Sequence, residues 1–93
     1  MPSRNILVVD DEPTMRQLLQ HTLETAGHHV ACAGGGRSAS QLMRQQPFDL
    51  VITDILMPEQ DGLELITEMR RKHPGMRVVA MSGGGLIDAK ATD

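Results

Sequence analysis

The chain has 93 residues, of which 40% are hydrophobic and 23% charged, with a net charge of -3. That length fits one domain, residues 1–93, near the small end of what builds its own core, and the acidic balance without a basic stripe argues against direct nucleic-acid binding. No apolar stretch approaches a membrane span, MPSRN carries no signal-peptide core, and the single cysteine, Cys32, excludes an internal disulfide or thiolate metal cage, so the chain is expected to be cytoplasmic.

Four short, evenly apolar runs, Ile6 to Val9, Val30 to Ala33, Leu50 to Thr53 and Val78 to Met81, fit parallel strands covered on both faces. Longer amphipathic stretches separate them. The first carries Met15, Leu18, Leu19, Thr22, Leu23 and Ala26 at helical spacing, with Pro13 suited to its first turn and Gly27 to its stop. Ala39, Leu42 and Met43 mark a shorter second helix before Pro47. Leu63, Ile66 and Met69 mark a third that ends near His73, ahead of Pro74, with Asp61 and Glu64 at capping-box spacing. The glycine triplets at 34–36 and 83–85 read as loops. Alternation of this kind predicts a doubly wound α/β sandwich.

Asp10, Asp11 and Glu12 follow the first strand as Asp54 follows the third, which places them at one edge of a parallel sheet. If the first helix crosses one face and the second the other, strands one and three become neighbours, and the crevice between their ends is where α/β ligands bind. Asp10, Asp11 and Asp54 converge there in this reading. Crowded carboxylates raise one another's pKa unless a cation offsets the charge, and an all-oxygen cluster suits Mg²⁺, which also accepts phosphate oxygens. Ser82 closes the fourth strand at the same edge, where a hydroxyl can donate to a phosphoryl oxygen. Each residue also has a plainer reading: Asp11 or Glu12 as helix caps, Asp10 and Ser82 as turn residues. The three acids arriving together at the switch point favour a metal-assisted phosphoryl site. His21, His28, His29 and His73 lie at helix ends or on polar faces and show no zinc spacing.

"ILVVDDE" at 6–12, "PFDLVITDILMPEQDGLEL" at 47–65 and "VVAMSGGG" at 78–85 resemble the receiver domain of bacterial two-component response regulators. The resemblance implies a flavodoxin-like receiver fold with strand order 2-1-3-4. It also implies a phosphorelay role in which Asp54 accepts a phosphoryl group from a sensor histidine kinase, a phosphotransfer protein or a small phosphodonor. Asp10 and Asp11 correspond to the acidic pair that organises Mg²⁺, with Asp11 and Asp54 as direct ligands, Asp10 acting through water and the backbone carbonyl of Leu56 completing the set. Ser82 corresponds to the switch hydroxyl. Thr14, Met15, Leu18 and Leu19 are similar to the face where kinases dock.

A receiver continues through a fourth helix, a fifth strand and a fifth helix, whereas this sequence runs to "GGGLIDAKATD". The expectation is a receiver truncated after its fourth strand, lacking the fifth-strand lysine, a role Lys90 does not fill. That leaves the edge of strand four and an apolar face open, and predicts a homodimer through strand four or the first helix. Two other classes compete. A haloacid-dehalogenase-like phosphatase would carry a second acid where Leu56 stands, and an assembly module would keep the acidic pocket without being phosphorylated.

Overall fold

The computed structural model describes residues 3–54, 62–82 and 85–88. Its elements are β1 (Asn5–Val9), α1 (Pro13–Thr25), β2 (His29–Ala33), α2 (Gly36–Gln45), β3 (Leu50–Asp54), α3 (Gly62–Lys72), β4 (Arg77–Ser82) and β5 (Gly85–Asp88). The sheet order is β2-β1-β3-β4-β5. The first four strands run parallel, with Val9 opposite both Ala33 and Thr53, and Asp54 opposite Met81. The four-stranded parallel core in the order 2-1-3-4 is the receiver-like arrangement the sequence implies.

Period-two alternation splits the core into two layers. Leu7, Val9, Val51, Val78 and Ala80 face Ala39 of α2 and Leu65, Ile66 and Met69 of α3. Ile6, Val8 and Ile52 face the other way, toward Leu19 and Leu23 of α1. The first crossover therefore covers one face and the next two cover the other, which makes β1 and β3 neighbours and puts the reversal of strand order between them.

Local chemistry ends each helix where it must. At the end of α1, Gly27 has φ 97°, its N–H donates to the Glu24 carbonyl, and the His28 N–H donates to the Leu23 carbonyl. This is the double hydrogen bond of a left-handed C-terminal cap, and a side chain at Gly27 would be strained there. α2 starts at Gly36, earlier than the loop expected over 34–36, because the Ala39 N–H already bonds the Gly35 carbonyl. In α3, Arg70, Arg71 and Lys72 fill the last turn, where cations complement the negative end of the helix dipole. The Asp61 and Glu64 side chains of the expected capping box, and Lys90, lie outside the described residues.

One expectation is overturned. The outer edge of β4 is not open: β5 pairs with it antiparallel, Ser82 opposite Gly85 and Val79 opposite Asp88. β5 runs antiparallel to β4 instead of parallel to it, and it uses the main-chain groups through which a second copy would have paired. Pairing of a second copy directly on β4 therefore loses its physical basis, because the outer strand on that side of the sheet is β5.

Candidate functional site

The site is built at the carboxyl ends of β1 and β3. Asp10 is the first residue past β1, and its N–H still donates to the Ala33 carbonyl of β2 at 3.1 Å. Asp10 and Asp54 continue the alternation of Ile6 and Val8 and of Leu50 and Ile52, so both belong to the α1 side of the sheet. Next to Asp54, Thr53 is fully buried, and its hydroxyl donates to the Asp54 carbonyl at 3.2 Å.

The side chains of Asp10, Asp11 and Asp54 each bring a carboxylate oxygen to within 4.8 Å of the others. Their exposures are graded. Asp10 is 4% exposed, Asp54 is half-buried and Asp11 is open to solvent. Burial is the main cause that lifts the Asp10 carboxyl above its ordinary range. The Glu12 N–H, donating to Asp10 Oδ1 at 2.9 Å, pulls the other way, and the negative charges of Asp54, Asp11 and Glu12 push it up further. The turn-forming role considered for Asp10 is therefore real, and it coexists with membership of the cluster.

Three carboxylates this close, all offering oxygen, fit a hard divalent cation such as Mg²⁺. The exposed Asp11 leaves a side of the cluster open to water and to an incoming phosphoryl group. A cavity of about 700 Å³ lies at the opposite edge of the sheet, lined among others by Arg4, Met43, Arg44, Phe48, His73 and Met76. It contains no residue of the acid cluster.

Of the residues singled out from the sequence, the structure brings Asp10, Asp11 and Asp54 together. Ser82 ends β4 one residue beyond Met81, the partner of Asp54, so its backbone stands at the same edge, and its side chain is not among those described. Leu56 lies outside the described residues. Arg16 was not anticipated. Its guanidinium Nη1 donates to the Asp10 carbonyl at 2.7 Å, a contact with no signature in the pattern of acids and strands.

Carboxylates meeting at the switch point of a doubly wound parallel sheet define an α/β domain whose candidate site lies where such domains bind their ligands. The chain belongs to the response regulator receiver domain family, whose model matches residues 6–92. It is 38% identical over 80 residues to the response regulator receiver protein CpdR of Brucella abortus, covering 86% of this chain and 67% of that protein. With PilR of Pseudomonas aeruginosa it shares 34% identity over 95% of this chain and 20% of the relative. Among solved structures it resembles the Thermotoga maritima response regulator TrrA in complex with Mg²⁺-BeF, with a TM-score of 0.77, 40% identity and coverage of 81% and 65% of the two chains. The chain spans only 36% of the mycobacterial relative TcrX, a probable transcriptional regulatory protein, so the match to the longer regulators concerns one part of them.

The protein is thus a receiver domain of two-component signalling. Among the described residues no helix is long and apolar enough to cross a membrane.

Proposed function

We propose that the chain is a cytoplasmic phosphorelay receiver that accepts a phosphoryl group on Asp54. The observation that carries this reading is the meeting of the Asp10, Asp11 and Asp54 carboxylates at the ends of the adjacent strands β1 and β3. The TrrA complex with Mg²⁺-BeF supports it by likeness.

In this reading a carboxylate oxygen of Asp54 attacks the phosphorus of a phosphohistidine on a sensor kinase or phosphotransfer protein. A carboxyl O–P bond forms as the N–P bond breaks, and the leaving imidazole keeps the electron pair and takes up a proton. β3 holds the nucleophile still: Asp54 is the last residue of a strand paired on both sides, and Thr53 buttresses its carbonyl. Asp10, Asp11 and Asp54 would hold Mg²⁺, with the Leu56 carbonyl as a further ligand. The ion supplies charge neutralisation at the transferring phosphoryl oxygens. Ser82 is assigned as the hydroxyl that engages the phosphoryl group afterwards and couples it to a change of conformation. α1 offers the docking face, with Met15 38% and Leu18 58% exposed. The domain so assists its own phosphorylation and dephosphorylation without turning over a separate substrate. Nucleic-acid contact is not assigned to it, in keeping with its negative net charge.

The test is phosphorylation by acetyl phosphate with Mg²⁺, read by intact mass. The parent chain should gain one phosphoryl group and Asp54→Asn none, with the same far-ultraviolet circular dichroism. Equal labelling of the two chains would remove Asp54 from the mechanism.

A further inference from the structure

The loop that joins β1 to α1, residues 10–12, supplies two of the three site acids, and a residue outside the acid cluster closes it. Asp10 is buried, and its carbonyl lies one residue past the last rung that β1 shares with β2 and β3. A buried carbonyl at a strand end needs a donor from elsewhere. Arg16 provides it, Nη1 to oxygen at 2.7 Å, a short charge-assisted bond. The Arg16 N–H makes the first i→i−4 bond of α1, donating to the carbonyl of the N-cap residue Glu12 at 3.1 Å, a bond that any residue at 16 keeps and that puts the guanidinium one turn from the loop. With the Glu12 N–H on Asp10 Oδ1 at 2.9 Å, three hydrogen bonds tie residues 10, 12 and 16 into one unit.

We infer that Arg16 is a positioning residue for the acidic pair, a role that rests on the phosphoacceptor reading of the site. The peptide unit from the Asp10 carbonyl to the Asp11 N–H is planar, so holding its oxygen fixes the direction in which the chain leaves toward Asp11. The Asp11 side chain is exposed and has little packing of its own to orient it. Arg16 therefore sets where the Asp11 carboxylate starts from, and Asp10 Oδ1 is held by the loop that Arg16 closes. It does so by geometry: the causes that move the Asp10 carboxyl are burial, the Glu12 N–H and the neighbouring acids, with the Arg16 charge not among them. Gly34 in the β2–α2 connection lies beside the guanidinium: an added Cβ would stand 3.4 Å from Nη1, already in van der Waals contact. A larger side chain at 34 would crowd the fork and act on the acids from a third element.

The experiment compares the parent, Arg16→Met, Arg16→Lys and Gly34→Val by Mg²⁺ titration calorimetry and by amide hydrogen exchange at Glu12 without metal. Removing a residue that supports a metal ligand weakens affinity about tenfold or more. Arg16→Met and Gly34→Val should each lose about tenfold in Mg²⁺ affinity, and Arg16→Lys should recover part of the loss through its single cationic donor. Glu12 exchange should accelerate in Arg16→Met alongside. Leu23→Ala, which loosens α1 far from the loop, should lower the melting temperature and leave Mg²⁺ affinity as it is, which a merely structural role for Arg16 would not distinguish. Parent-like Mg²⁺ affinity in Arg16→Met overturns the inference. A parent that binds no Mg²⁺ sinks the functional reading and with it the positioning role, while the Glu12 exchange still shows whether Arg16 closes the loop.

Discussion

The two faces of the sheet are covered to very different depths. On the side of α2 and α3, Ala39, Leu65, Ile66 and Met69 are buried against Leu7, Val9, Val51, Val78 and Ala80. On the side of α1, the sheet contributes Ile6, Val8 and Ile52, while no residue of α1 is buried and its contacts come from half-buried Leu19 and Leu23. Fold stability is thus concentrated on one face, and the site belongs to the other. A helix that leans on the sheet without being engulfed costs little to shift, and elements that respond to ligands are drawn from such weakly held parts of a structure. The same shallow packing leaves Leu18 and Met15 exposed to solvent.

The contrast can be broken most directly by truncating one leucine on each side. Leu65→Ala should cost about 3 kcal/mol and Leu19→Ala about half that, since the loss scales with the cavity left in surroundings that cannot collapse. Equal losses in urea denaturation would show that α1 is as integral to the core as α3. A smaller effect of opposite sign is expected at the site itself. The Asp10 carboxyl is lifted in the folded state, so the folded chain holds that proton more tightly than the unfolded one. Stability without metal should then fall as pH rises from the ordinary carboxylate range through the raised folded value, and remain lower above it. Asp10→Asn, which keeps an oxygen for the Glu12 N–H, should lose that slope and be the more stable chain at neutral pH. Thermal melts across pH check this, and parallel pH profiles for the two chains would contradict it. The smallest change is Leu18→Ser, within about 0.5 kcal/mol of the parent, because the side chain is mostly in water already. It sharpens the comparison if transfer from a phosphohistidine donor slows while labelling by acetyl phosphate does not.

Much of this was legible because burial on both faces leaves a strong mark. The four parallel strands appear as apolar runs, and no observed limit differs from the expected one by more than a residue. Gly27 was readable as a stop since only glycine sits easily at the positive φ of that cap. The convergence of Asp10, Asp11 and Asp54 followed from chain order and crossover side alone. β5 was less legible: "GLID" offers two apolar residues beside a glycine, too little for a strand signal, and it owes its form to the edge of β4 next to it. Arg16 was hidden for another reason. Its partner is a backbone carbonyl, which every residue carries, so no pairing of residue types could announce it.

The parallel pairing of β1 with β3 also carries information about time. The first two acids are made early in synthesis, but they gain their third companion only after β2 and two helices have been threaded between them. Contacts so distant along the chain form late, because loop closure must be completed before they return any stability. A growing or partly folded chain therefore exposes an acidic pair that lacks its partner, and Asp54 comes into register only when the central strands have docked. Assembly of the acid cluster is in this way delayed until β1 and β3 have paired.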